Sequence, residues 1–158
     1  MSARTSDPPH PRPRGVPLAA LIVGLAPSRR VGAQAAARLI AGGLCEGGAA
    51  EPELCPLQAQ PGGPGPRELL DTLGFDARMR RARALVILDR CLSESTLAPS
   101  LTFEIATRAR QAGVPAYAVV AENHLNGFAA RILDLQLIIQ AQSRDALRAA
   151  GRTLAEVL

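Results

Sequence analysis

The chain has 158 residues, of which 47% are hydrophobic and 20% are charged, a balance typical of one globular domain with a single core. Its longest apolar runs are about eight residues, well short of the roughly 20 needed to span a bilayer, so no membrane segment is predicted. The formal net charge is +4, and part of this positive charge belongs to the first residues of the chain. The charge that remains on the rest of the chain is too small to indicate nucleic-acid binding.

The N-terminal segment, residues 1–15, is rich in proline and arginine and is predicted to form a disordered arm ahead of one domain over residues 16–158. It has no apolar run followed by a small-residue cleavage site, so no secretory signal is predicted and the expected compartment is the cytoplasm. The cysteines Cys45, Cys55 and Cys91 match no zinc or redox spacing, which agrees with a reducing compartment.

Short apolar runs alternate along the chain with longer segments rich in alanine and leucine, which is the pattern of βαβ units. Continuous apolar runs of this length are typical of strands buried on both faces of a parallel sheet. The predicted strands are Leu18–Leu25, Pro52–Leu57, Ala84–Asp89, Val114–Ala121 and Leu135–Ile139. The sequence therefore predicts a single three-layer α/β/α sandwich with a mostly parallel sheet of about five strands.

The segments between the strands are predicted to be helical, with glycine or serine at several of their ends. The predicted helices are Val31–Leu44, Arg67–Arg83 with a break at Gly74, Ser100–Ala112, and a last helix that starts after Ser143 and runs to the C-terminus. In a sheet of this kind, ligands bind beyond the carboxyl ends of the strands. The loops that follow the strands are therefore the places where a site is expected.

The loop "APSRRVG" leads from the first strand into the first helix. The free N–H groups at the start of a helix attract anions, and arginine offers a planar fork of donors to phosphate or carboxylate. Ser28 is predicted to act as a cap, and Arg29 or Arg30 to clamp a small phosphate or carboxylate. The chain has no lysine, so arginine is the cation available to such a ligand.

The later loops offer a few groups for chemistry. Asp89 is a candidate catalytic residue and a candidate Mg²⁺ ligand, although an aspartate after a strand also commonly caps a turn. Cys91 is a candidate nucleophile with no base beside it in sequence. His10 and His124 are far apart along the chain and form no cluster, so no metal site is predicted from them.

Four stretches resemble, in order, the bacterial glycerate kinases: "LIVGLAPSRRVG", "ELCPLQAQPGGPGP", "LGFDARMRRARALVILDRCLSESTL" and "RARQAGVPAYAVV". Those kinases carry "APDSFKG", "CPLADGGEGT", "GFDERLAGADLVITGEGRLDAQTL" and "GVPVIALAG" at the corresponding places. The resemblance runs from about Leu18 to Leu158. It implies a Rossmann-like first domain in which Pro66 and Arg67 are joined where the kinases carry a second domain.

The resemblance also implies that the residues for chemistry have changed. Gly62, Gly63 and Gly65 match the kinase loop "GGEG", but proline replaces its acid. The aspartate of "APDSFKG" falls at Ser28, and its lysine has no counterpart. In "GRLDAQTL" the aspartate falls at Ser93, which makes Ser93 a further catalytic candidate. These glycines are therefore interpreted as a degenerate active-site loop, with a plain Pro/Gly linker as the alternative.

The function that the resemblance implies is a glycerate-kinase-like domain that is a catalytically inactive remnant with a binding or regulatory role. One alternative is an active or split glycerate kinase, which would use ATP and Mg²⁺ and, if split, would take its missing domain from a separate chain. Another is a self-associating module, because loss of a covering domain exposes apolar surface. A small anionic ligand is expected in the first case and a homo-oligomer in the last.

Overall fold

The structure is a computed structural model that describes residues 19–58 and 60–158, so the predicted arm lies outside the described residues. Strands and helices alternate along the described chain. Their bounds are β1 Ala20–Gly24, α1 Ala33–Glu46, β2 Glu53–Pro56, α2 Pro66–Thr72, α3 Phe75–Arg80, β3 Ala84–Leu92, a 3₁₀ helix Glu94–Leu97, α4 Leu101–Ala112, β4 Ala116–Asn123, α5 Gly127–Leu133, β5 Leu135–Gln140 and α6 Arg144–Val157.

The five strands form one sheet in the order β2-β1-β3-β4-β5, and every neighbouring pair is parallel. The predicted α/β sandwich with a parallel sheet is therefore confirmed. This order is the flavodoxin-like one, whereas a Rossmann sheet places its third strand outside its second. The expectation of a Rossmann-like fold is wrong, because the chain crosses from β2 back over β1 and adds the remaining strands one after another on the far side.

Side chains alternate along the buried strands and feed two separate cores. One core lies under α1 and α6 and contains Ile22, Val86 and Val119. The other lies under the remaining helices and contains Val23, Ile87 and Val120. Such strands are apolar on both faces, which is why they were recognisable as continuous apolar runs.

The strand β3 is longer than the sequence indicated. It continues past Asp89 to Leu92 because it stays paired with β4, with Cys91 opposite Glu122. Cys91 therefore lies on a strand and not in the loop that the sequence predicts. The ends of β3 and β4 therefore carry polar side chains beyond the buried part of the sheet.

Two helical segments differ from the prediction. The segment predicted as one helix with a break is two helices, α2 and α3, separated at Gly74, whose φ of 60° is in the left-handed region. The short helix α5 was not predicted, although Asn126 caps it by accepting a hydrogen bond from the Ala129 amide at 2.8 Å. None of the helices within residues 19–58 and 60–158 is long and apolar enough to cross a membrane.

The helices α1 and α6 pack against each other through glycine. A Cβ atom placed on Gly43 would lie 2.0 Å from the Arg148 carbonyl oxygen, and one on Gly151 would lie 2.2 Å from the Ile40 carbonyl oxygen. A side chain does not fit at either position unless the helices move apart. Gly43 lies in the last turn of α1 and Gly151 in the middle of α6, so the contact joins the two helices beyond their N-terminal ends.

Candidate functional site

The loop after β1 is held by its own serine. The Ser28 hydroxyl accepts a hydrogen bond from the Val31 amide at 3.2 Å, so it closes the turn ahead of α1 and does not cap the helix itself. The N-cap of α1 is Gly32, which offers no side-chain acceptor. Arg29 and Arg30 are both exposed at the tip of this turn.

The N-terminus of α1 also lacks an acidic residue in its first turn. In contrast, Ser100 and Ser143 cap α4 and α6 with their hydroxyls, and both helices have an acid in the first turn. A capping oxygen or a nearby carboxylate compensates the free N–H groups and the positive end of the helix dipole. At α1 neither is supplied by a described residue.

An open cleft of about 730 Å³ lies between the start of α1 and the start of α6. Its lining residues are Ser28, Arg29, Arg30, Val31, Gln142, Ser143 and Arg144. None of the ion pairs within the described part of the chain involves the three arginines of this cleft. The cleft therefore presents cationic side chains that are not already neutralised by the ion pairs of the fold.

Ser28, Arg29 and Arg30 were predicted from the sequence, whereas Arg144 was not. Arg144 begins the last helix, far from the first loop in sequence, and only the packing of α6 beside α1 brings the two together. The signal that was available is that Arg144 follows a strand of the same parallel sheet, whose carboxyl ends share one edge.

The glycine-rich segment forms a turn. The Gly63 amide donates to the Gln60 carbonyl oxygen at 3.0 Å, and Gly62 has a φ of 72°. With Pro61 in the second position, this is the pattern of a type II turn, which needs glycine at the third. Gly65 then precedes the first residue of α2 as its N-cap. Local geometry thus accounts for these residues without a phosphate.

A pocket of about 380 Å³ adjoins this turn. Its walls are mostly apolar, with Leu25, Leu69 and Leu101 on the side of the sheet and helices and Pro64 on the side of the turn. No charged side chain lines it among the described residues. The pocket is suited to an apolar group and offers no cationic side chain to an anion.

The two catalytic candidates of β3 and the following turn have local partners. The Asp89 carboxylate accepts hydrogen bonds from the buried Thr102 hydroxyl and from the Arg90 amide. The Ser93 hydroxyl is 2.7 Å from that of Ser95, and the Ser93 amide donates to the Thr96 hydroxyl. Asp89 therefore joins β3 to α4, and Ser93 starts the 3₁₀ helix.

The ends of β3 and β4 bring together three side chains that are separated in sequence. The Cys91 sulfur, a Glu122 carboxylate oxygen and a His124 ring nitrogen all lie within 4.8 Å of one another. The His124 Nε2 atom is 3.0 Å from the Glu122 Oε2 atom. His124 was considered in the sequence only as an isolated histidine, because the strand register that brings Cys91 and Glu122 beside it is not visible along the chain.

No protein-family model and no curated protein matches the chain. Among solved structures, the chain is similar to a diflavin flavoprotein A3 from Nostoc sp.. The two are 17% identical, with a TM-score of 0.46, over 89% of this chain and 93% of that chain. At this identity the likeness concerns the fold alone.

The description of the fold as Rossmann-like is corrected by the strand order, which is flavodoxin-like. No comparison supports the description of the chain as a kinase. The likeness of the four sequence stretches to glycerate kinases is not tested by these comparisons and stays a prediction. The expectation of ATP and Mg²⁺ as cofactors depends on kinase activity and stays a prediction with it.

Proposed function

We propose that this domain binds a small molecule with a phosphate or carboxylate group in the cleft between α1 and α6. The observation that carries the proposal is that Arg29, Arg30 and Arg144 surround the start of a 14-residue helix that has neither a side-chain cap nor an acid in its first turn. Unpaired N–H groups and the helix dipole favour negative charge at this point. Guanidinium groups from the loop before α1 and from the first residue of α6 add charge-assisted donors.

The size and shape of the cleft suit a small ligand. Small-molecule sites commonly measure about 300–1,000 Å³, and this cleft of about 730 Å³ lies within that range. It opens at the carboxyl edge of the sheet, where ligands of flavodoxin-like folds bind. Asp145 follows Arg144 and is exposed, so the local charge is mixed at one side and weak binding is expected for a bare anion.

Phosphate titration of the protein, followed by amide chemical shifts, tests this proposal. We expect the amides from Ser28 to Ala35 and from Gln142 to Arg144 to move together, because both segments line the same cleft. Replacing Arg30 or Arg144 with alanine should raise the dissociation constant about tenfold, since one charge-assisted hydrogen bond contributes about 1.5–3 kcal/mol before ordering is subtracted.

Arg131 provides the matched control. It is exposed and lies at the end of α5 away from the cleft lining, so Arg131→Ala lowers the net charge equally but should leave the dissociation constant unchanged within about a factor of two. If all three variants weaken phosphate binding equally, the binding depends only on the net charge of the protein and not on a specific site. Shifts at Gly62 to Gly65 without shifts at Ser28 to Gly32 would show that the anion binds at the glycine-rich turn, which would contradict the proposal.

We also propose that the protein is located in the cytoplasm. It is supported by the three cysteines, which are all free thiols. Free thiols persist in a reducing compartment and tend to be oxidised outside it.

A second candidate function is self-association through the edge strand β5. This strand pairs with β4 alone among the described residues and reads "LQLIIQ", without charge or proline. Natural sheet edges are usually protected by charge, proline or shortness, and the opposite edge, β2, has four residues and ends in Pro56. An unprotected edge favours pairing with a second copy of the chain.

Sedimentation at several protein concentrations tests self-association. We expect a monomer–dimer equilibrium that shifts to monomer with Gln136→Lys, because Gln136 is exposed on β5 and a charge there opposes edge pairing. The exposed Gln111, in α4, offers the same substitution away from β5 as a control. A monomer at every concentration, or equal dimerisation of both variants, contradicts this candidate.

A further inference from the structure

The cluster formed by Cys91, Glu122 and His124 is set by the backbone. Cys91 and Glu122 are register partners on the parallel strands β3 and β4, so their side chains leave neighbouring backbone positions. The His124 amide donates to the Leu92 carbonyl oxygen at 2.7 Å, which holds His124 beside the end of β3. Each member thus comes from an ordered position at the end of a strand.

The donor set is that of a transition metal. A thiolate, an imidazole and one carboxylate are the ligands that bind Zn²⁺ in proteins, whereas Mg²⁺ and Ca²⁺ require mainly oxygen. Around one Zn²⁺ ion the ligand atoms would stand roughly 3.5 Å apart, as follows from metal–ligand distances of about 2.0–2.3 Å and tetrahedral angles. Because the present ligand atoms all lie within 4.8 Å of one another, any two of them need to approach by about 1.3 Å at most.

The side chains have the freedom for this movement. The side chains of Glu122 and His124 are 55% and 62% exposed, so both can change rotamer without disturbing the core. Their mutual contact of 3.0 Å is already shorter than the spacing around a metal. Cys91 is half-buried and is the fixed member of the group.

An alternative role for these three groups is catalysis, with Cys91 as a nucleophile and His124 as its base. A nucleophile needs a place for its substrate, however, and none of the larger cavities in the described part of the chain is lined by Cys91, Glu122 or His124. A metal ion needs only its ligands and a water. The geometry therefore favours metal binding over covalent catalysis.

We propose that Cys91, Glu122 and His124 form a Zn²⁺-binding site at the carboxyl ends of β3 and β4, with a fourth coordination position open to solvent. The site differs from the anion cleft in every residue. It takes a divalent transition metal of the zinc type, and the open position accepts water or a further ligand.

Titration of the full chain with Co²⁺ in the presence of a phosphine reductant tests this site, because a thiolate ligand gives Co²⁺ a charge-transfer absorption band in the near ultraviolet. We expect one Co²⁺ per chain, displaced by Zn²⁺. Cys91→Ser should abolish the band, and Glu122→Gln and His124→Ala should each weaken binding at least tenfold. Zn²⁺ should also slow the reaction of Cys91 with a thiol reagent.

Two further variants serve as controls. Cys45→Ser removes the exposed thiol of α1, and His10→Ala removes the other histidine, which lies outside the described residues; both should keep the band. Cys55 does not compete for the metal, because it is buried and its burial raises the pKa of its thiol, although Arg78 opposes that rise.

Circular dichroism establishes that each variant is folded before it is scored. The site is overturned if the parent binds no Co²⁺, if the band survives in folded Cys91→Ser, or if it is lost in Cys45→Ser. Binding that persists undiminished in both His124→Ala and Glu122→Gln would assign the metal to the thiol alone and equally contradict the three-ligand site.

Discussion

Replacing Gly43 with alanine is expected to lower the free energy of unfolding by about 2–3 kcal/mol, while the same replacement at Gly42 is expected to raise it by about 0.5–1 kcal/mol. The two glycines are adjacent in α1 and lose the same backbone freedom on folding. They differ in what an added methyl group meets. The comparison therefore isolates the contact between α1 and α6 from helix propensity.

At Gly43 the new methyl group would meet backbone atoms. Its Cβ atom would lie 2.0 Å from the Arg148 carbonyl oxygen and 2.9 Å from the Gly151 Cα atom, so the two helices must separate. At Gly42 the nearest atom is the end of the Arg148 side chain at 3.9 Å, which is ordinary van der Waals contact. The first change strains the packing, and the second only improves helix propensity.

Denaturant unfolding measures both changes in the free energy of unfolding, provided that its dependence on denaturant concentration has the same slope in the parent and the variants. Gly151→Ala is the reciprocal test and should be destabilising as well, because its Cβ atom would lie 2.2 Å from the Ile40 carbonyl oxygen. If Gly43→Ala and Gly42→Ala have the same stability, α1 and α6 do not approach each other as described. The same separation should weaken the anion cleft, whose two sides are carried by these helices.

The fold was predictable because its strands are buried on both faces. Val86 and Ile87 face opposite cores, so β3 reads as an uninterrupted apolar run. The strand order was not predictable in the same way, because the runs of a flavodoxin-like and a Rossmann sheet look alike. Which strand pairs with which is decided by crossover connections that pass over the sheet and leave little trace in composition.

The candidate sites were predictable only where the relevant residues are close in sequence. Arg29 and Arg30 form part of one loop and were identified, whereas Arg144 joins them through the packing of α6 on α1. The cluster of Cys91, Glu122 and His124 was not predicted, and the reason is a different one. The charged residues Asp89 and Arg90 interrupt the apolar pattern before strand β3 ends at Leu92, so the register of Cys91 with Glu122 stays hidden.

A second large effect is expected at Arg108, which joins three helices on the other face of the sheet. Its guanidinium group donates to Glu104 on its own helix, at 2.9 Å, and contacts Asp71 and Asp76 at 2.9 and 3.1 Å. Only 11% of its side chain is exposed. Burial alone would lower the pKa of Arg108, but these hydrogen bonds outweigh it and raise the pKa, so the group stays charged.

Arg108→Met keeps much of the packed side-chain volume and removes the charge. We expect the free energy of unfolding to fall by about 2 kcal/mol. This is less than the roughly 3–5 kcal/mol of a fully buried pair, because Asp71 and Asp76 are 63% and 49% exposed and regain water. It exceeds the 0–1 kcal/mol of a surface pair, because Arg108 itself is nearly buried and contacts several carboxylates at once.

Arg110→Met on the same helix is the matched control. Arg110 is exposed and donates to the Ile132 carbonyl oxygen at 3.2 Å, so its loss should change stability by about 0.5 kcal/mol or less. Chemical unfolding in urea at low and high NaCl separates the causes further. The deficit of Arg108→Met should shrink with salt, because salt screens the repulsion among Asp71, Asp76 and Glu104 that the substitution leaves behind. Equal stability of the two variants at low salt would show that the three helices are held by apolar contacts alone.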